Sequence, residues 1–255
     1  MKKSYTLGLY EKAMPGTLSW REKLEAAREA GFDFVEISID ETDQKLARLD
    51  MSAEERLELV RLMAETGVPI RTMCLSGHRK YPLGSSDPET CRRGMEIMEK
   101  AIRLAEDLGI RIIQLAGYDV YYEASTPETV ERFGNNLEKA VHMAAKAGVT
   151  MGFETMETEF MNTVEKAMNY VNRVNSTYLN VYPDLGNITN AAKTYGTQVA
   201  GDLRTGTGHL VAMHLKETVP GKFREIPFGT GHVDFEEGIA VAWELGVRKF
   251  VTEFW

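Results

Sequence analysis

Apolar runs short enough to be strands recur along the chain at intervals of about 30 to 40 residues, with helix-like stretches between them. The runs are Thr6–Tyr10, Phe32–Ser38, Ile70–Ser76, Ile110–Ala116, Val149–Glu154, Tyr178–Asp184, Leu210–His214 and Lys249–Glu253. Segments between them, such as Met95–Leu108 and Thr129–Ala147, carry apolar residues three and four positions apart, the helical period. Gly31, Gly67, Gly109, Gly148 and Gly246 each follow a helical stretch and precede a run. Glycine there can take the left-handed conformation that ends a helix. Strands alternating with helices predict parallel pairing through right-handed crossovers. Eight such units in 255 residues predict an α/β protein of the closed (β/α)8 TIM barrel class rather than an open doubly wound sheet. The expected organisation is a single domain over residues 1–255. The chain reaches Trp255 straight after the eighth run, so the last helix of the barrel is expected to be missing. That predicts an apolar flank beside strand eight, a candidate interface.

Composition narrows the class without naming a chemistry. With 43% hydrophobic and 27% charged residues the chain reads as an ordinary globular protein, which excludes disordered and collagen-like architectures. No apolar run approaches the roughly 20 residues that span a bilayer, and the start, Met1-Lys2-Lys3-Ser4-Tyr5, lacks the apolar core of a signal peptide. The two cysteines, Cys74 and Cys91, are too few for a disulfide framework. They read as reduced thiols, and the expected location is cytoplasmic. A net charge of −8 speaks against nucleic acid as a partner, although a local basic patch would suit one phosphate group.

In a barrel of this class, chemistry is built where strands end and βα loops begin. The fifth to eighth runs end on Glu154, Asp184, His214 and Glu253. A single strand-end glutamate is more commonly a salt bridge or a helix cap. Four such residues on consecutive strands are harder to explain structurally, because carboxylates gathered at one mouth repel one another without a cation. Carboxylate and imidazole together are ligand types for one divalent metal ion: Mn, Co, Mg or Zn.

These four sit in Gly-Phe-Glu154-Thr-Met, Tyr-Pro-Asp184-Leu-Gly-Asn, Met-His214-Leu-Lys-Glu-Thr and Val-Thr-Glu253-Phe-Trp. So placed, they resemble the metal ligands of the xylose isomerase-like barrel superfamily. Longer phrases resemble the L-ribulose-5-phosphate 3-epimerases, isomerases that also act on L-xylulose 5-phosphate. They are Gly8-Leu-Tyr-Glu-Lys-Ala, Gly31-Phe-Asp-Phe-Val-Glu, Met73-Cys-Leu-Ser, Ile113-Gln-Leu-Ala-Gly-Tyr-Asp-Val-Tyr-Tyr and Ile226-Pro-Phe-Gly-Thr-Gly-His-Val-Asp-Phe. The resemblance spans Leu7 to Trp255. It implies a sugar-phosphate epimerase that inverts C3 of a pentulose 5-phosphate through an enediolate, with Glu154 and Glu253 as the acid/base pair beside the metal. It also implies a homodimer and a final helix that is not found here. Epimerases of unphosphorylated ketoses carry a second histidine three residues after the aspartate ligand. Asn187 stands there instead.

Substrate contacts are expected from Lys216, His78, Gln114, Asn187 and Tyr10. Lys216 follows His214 by two residues and so shares its side of the strand. The phosphate has further candidates in Arg79, Lys80, Lys222 and the amides of Gly229-Thr-Gly231. Glu11 and Tyr118 occupy analogous βα positions, and His232 lies in a loop that approaches the site. His142 and His209 read as structural, and Cys74 as a packed hydrophobe. Other readings of the site are an aldose–ketose isomerase, an epimerase of another ketose, and a non-catalytic sugar-phosphate-binding protein. An isomerase with two metals would need more carboxylate near His214, where Glu217 alone is available. A base-excision endonuclease would need a basic DNA face, which the acidic balance opposes.

Overall fold

The computed structural model describes residues 3–254; Met1, Lys2 and Trp255, the last residue of the Val-Thr-Glu-Phe-Trp phrase, lie outside the described residues. Eight strands run β1 Thr6–Tyr10, β2 Phe34–Ile39, β3 Ile70–Leu75, β4 Ile112–Ala116, β5 Thr150–Glu154, β6 Leu179–Val181, β7 Met213–Leu215 and β8 Lys249–Thr252. The α-helices are α1 Trp20–Glu29, α2 Asp43–Leu46, α3 Ala53–Thr66, α4 Pro88–Leu108, α5 Pro127–Ala147, α6 Val164–Val174, α7 Leu185–Tyr195, α8 Val199–Thr205 and α9 Phe235–Glu244. Strand neighbours follow the order β6-β5-β4-β3-β2-β1-β8-β7, and every pair is parallel. Single parallel bridges, Val181 to Leu210 and Asp184 to His214, close the seam between β6 and β7. The architecture is the expected (β/α)8 barrel.

Local chemistry explains the element ends. Ser19, Ser52 and Thr126 form capping boxes on α1, α3 and α5, and Pro88 and Pro127 open α4 and α5 where a missing N–H costs nothing. All five anticipated glycines adopt positive φ. The sixth run is cut to three residues because Asp184, expected as its last residue, caps α7 instead and accepts a hydrogen bond from Asn187 N at 2.7 Å. Gly186 in the next turn lies so close to β7 that an added Cβ would meet Lys216 O at 2.7 Å. The turn therefore seats the head of α7 directly against the strand that carries His214.

The apolar core fills the shell between strands and helices, while Tyr10, Phe34, Cys74, Ile112, Tyr182, Ala212 and Val251 pack inside the barrel. No helix follows β8 among the described residues. Phe250 and Leu9 are buried there, whereas Phe254 just past β8 and Phe228, whose rings lie 5.9 Å apart, are exposed. No described helix is long and apolar enough to cross a membrane.

Glu11 is where the sequence reading needs correction. Expected among the pocket groups, it is instead a buried tie-point between elements. It accepts from Ser38 N at 2.8 Å and pairs with Lys23 of α1 at 3.0 Å, with Lys45 of α2, and with Arg48 at 2.5 and 2.8 Å. Burial alone would raise its carboxyl; Arg48 and Lys45 outweigh it and hold the group at about 2. A carboxyl lowered from 4.5 to about 2 contributes roughly 3 kcal/mol of stability at neutral pH. A depressed carboxyl gives that stability in full above its unfolded value and loses it as pH falls through 4.5 toward 2. Urea unfolding between pH 7 and 2.5 checks this. Glu11→Gln should be less stable by about 3 kcal/mol or more at pH 7, with the gap narrowing on acidification.

Candidate metal centre

The pleat decides which residues face the barrel axis. Along β5 the inward positions are Gly152 and Glu154; along β7 and beyond they are His214 and Lys216. Register then aligns the strand ends, with His214 opposite Val251, Leu215 opposite Thr252, and Glu253 N donating to Leu215 O at 2.9 Å. The bridge that closes the barrel pairs Asp184 with His214. One ligand atom from each of Glu154, Asp184, His214 and Glu253 lies within 4.8 Å of the others, and all four residues are buried.

His214 is the hub. Its Nδ1 lies 2.6 Å from Glu253 Oε2, 3.7 Å from Glu154 Oε1 and 3.9 Å from Asp184 Oδ2, while Nε2 lies 2.5 Å from Glu36 Oε1. Lys216 Nζ sits 3.0 Å from Asp184 Oδ2 and 3.6 Å from Glu253 Oε1. Burial, with Glu253 adding to it, pushes the Glu154 carboxyl up to about 7, and burial raises Asp184 against the opposing Lys216 charge. Burial would lower Lys216 and His214, yet Asp184 raises the lysine and Glu36 raises the imidazole. Three carboxylates and one imidazole, buried and converging, form a donor set that could hold a divalent cation.

Residues 24–252 match the xylose isomerase-like TIM barrel family. Over 256 aligned residues the chain is 47% identical to L-ribulose-5-phosphate 3-epimerase UlaE of Salmonella paratyphi C, covering 100% of this chain and 89% of that protein. The enzyme of the same name from Escherichia coli O157:H7 is 46% identical over the same shares. The chain belongs to the L-ribulose-5-phosphate 3-epimerase family. It is therefore an enzyme of the isomerase class, an epimerase. Among solved structures, an L-ribulose 3-epimerase superposes with a TM-score of 0.77 at 20% identity, covering 98% of this chain and 82% of that one. D-Psicose 3-epimerase in the presence of D-fructose gives 0.78 at 16%, covering 97% and 83%. Both bear on the fold alone.

The epimerase pocket opens above the ligand set. Tyr10, Asn187 and Lys216 line it together with Glu154 and Glu253, as do Arg79, Lys12 and Arg224 nearer the loops. Asn187 Nδ2 donates to Thr155 O at 2.7 Å, and its Oδ1 is buried without a partner. Gln114 lies beneath, its Nε2 3.2 Å from both ring nitrogens of His214.

Other expected contacts of this family member fall elsewhere. His78 turns away from the pocket and hydrogen-bonds Gly94 O of α4 at 3.0 Å; burial pushes its imidazole down to about 4. Lys80 and Lys222 are exposed beside Asp43 and Glu225. Gly229 N is taken by Glu217, which also accepts from Thr218 N and Val233 N, so Glu217 braces a loop and does not join the ligand set. His232 bonds Thr218 at 3.0 Å, and Tyr118 donates to Glu157 at 2.8 Å. Cys74 lines the pocket as a buried thiol whose pKa burial raises. Sequence reading missed Glu36 and Tyr182 because it stopped at strand ends. A lone glutamate at an inward position of the apolar Phe34–Ile39 run was the available signal.

Ion binding should stabilise the native state. At a Mn²⁺ concentration about 100 times Kd, linkage gives about 2.7 kcal/mol, which is roughly 5–10 °C in Tm for a chain of this size. Thermal unfolding with Mn²⁺ and with a chelator checks this, and Asp184→Asn should lose most of the shift.

Proposed function

We propose that this epimerase interconverts L-xylulose 5-phosphate and L-ribulose 5-phosphate by removing and returning the C3 proton. The observation that carries the reading is two buried glutamates, Glu154 and Glu253, reaching one pocket from strands that are not neighbours in the barrel. Carboxylates on two sides of C3 can take a proton from one face and deliver one to the other, which inverts the centre. Burial, with Glu253 adding to it, raises the Glu154 carboxyl and makes it a stronger proton acceptor than an exposed carboxylate. Glu154, Asp184, His214 and Glu253 would hold the ion, whose contribution is to polarise the C2 carbonyl and stabilise enediolate charge.

The chain's own groups do the rest. Lys216 offsets carboxylate charge from within the pocket. Asn187 Oδ1, buried and lacking a donor, suits a sugar hydroxyl. Tyr10 supplies an aromatic wall, its ring centre 6.0 Å from that of His214. Gln114 steadies the imidazole from below. The phosphate is assigned to the basic side of the mouth, where Arg79 stacks on Tyr121 at 4.8 Å and its Nε is buried without a partner. The names of the close relatives support the same pentulose phosphate pair.

Proton NMR of L-xylulose 5-phosphate in D₂O tests the chemistry. Metal-loaded protein should wash out the C3 proton signal and build up L-ribulose 5-phosphate, and chelator should stop both. Glu154→Gln and Glu253→Gln should each slow exchange by about 10²–10⁴-fold. Retention of the C3 proton by loaded wild-type protein would overturn the reading. Separately, Arg79→Gln should raise KM for the phosphorylated ketose about 10–100-fold, the value of a hydrogen bond to a charged group, while leaving any turnover of the unphosphorylated sugar unchanged. Steady-state kinetics on the two sugars measures this.

A further inference from the structure

Glu36 lies inside β2, two residues short of Ser38, where the strand-end reading began, and it is fully buried. Its two oxygens have different tasks. Oε1 stands 2.5 Å from His214 Nε2, and Oε2 accepts from the Tyr182 hydroxyl at 3.0 Å. The Tyr182 ring also packs edge-on against the imidazole, with centroids 5.1 Å apart and planes at 75°. The histidine is thus gripped on the side away from the other carboxylates. A neutral imidazole carries one N–H and one lone pair. Both ring nitrogens face carboxylate oxygens, Nε2 at 2.5 Å from Glu36 and Nδ1 at 2.6 Å from Glu253, so a cation held among Glu154, Asp184 and Glu253 would take the Nδ1 lone pair and leave the N–H on Nε2 for Glu36. With a cation there, the opposite tautomer would point an N–H at the ion and leave the Glu36 carboxylate against a lone pair, both buried, which is strongly unfavourable.

We propose that Glu36 is a positioning residue: it fixes the His214 tautomer and ring angle that aim Nδ1 at the cation site, and Tyr182 fixes Glu36. Glu36 touches no pocket-lining space itself and acts through His214. The inference rests on the reading of the four-residue cluster as a metal site. An outer partner of this kind typically changes metal affinity by 10–100-fold.

The test separates the two readings. Mn²⁺ affinity, followed by the electron paramagnetic resonance signal of the free ion, needs no substrate or turnover. Glu36→Gln keeps the shape and removes the charge, and should weaken Mn²⁺ binding about 10–100-fold. Tyr182→Phe should weaken it by less. Long-range ¹H–¹⁵N spectra of Zn²⁺-loaded wild-type protein should show His214 protonated at Nε2 and bound through Nδ1. Protonation at Nδ1 would overturn the proposal, as would wild-type Mn²⁺ affinity in a folded Glu36→Gln protein. If Glu36→Gln does not fold, wild-type affinity in Tyr182→Phe together with Nδ1 protonation overturns it. A wild-type protein that binds neither ion overturns the metal site itself, and the proposal with it.

Discussion

The structure turns on buried negative charge. Glu36 of β2, Glu154 of β5, Asp184 at the head of α7 and Glu253 just past β8 meet around a single imidazole, with Lys216 as the nearby ammonium. Carboxylates this close and this dry repel one another, and the low dielectric that makes the pocket useful also makes unbalanced charge costly. Lys216 offsets part of it. The rest is what fits the cluster to a divalent ion. Barrel closure makes the arrangement possible, because the same β6–β7 seam that completes the sheet sets Asp184 against His214.

Two glutamates show how environment decides the role. Glu11 and Glu154 both follow or end inward strands, and both are buried. Glu11 faces Arg48, Lys45 and Lys23, is held at about 2, and serves as a permanent anion that ties β1 and β2 to the first helices. Glu154 is raised by burial, with the neighbouring Glu253 carboxylate adding to it. The same side chain is a brace in one place and, in the proposed function, an acid/base group in the other. Histidines divide in the same way: His78 is kept neutral by burial behind the wall, while His214 is held by carboxylates at the centre.

Much of this was legible before any coordinates. The strand–helix rhythm, the five helix-ending glycines and the four candidate ligands of the later βα junctions are local signals, written in residue type and spacing. The failures share one cause. Whether Glu11 opens to the pocket depends on Lys23, Lys45 and Arg48, which are 12, 34 and 37 residues away. His78 looked like a pocket residue because it follows a strand, but its ring turns toward α4.

Sequence alone determined the barrel, the family resemblance and the candidate donor residues, because period, caps and motif residues act over a few neighbours. Tertiary structure decided which polar groups share one space. Glu36 and His214 are 178 residues apart and stand 2.5 Å from each other only because a closed barrel brings β2 across from β7. Distance along the chain carries no trace of that contact; the curvature of the sheet creates it.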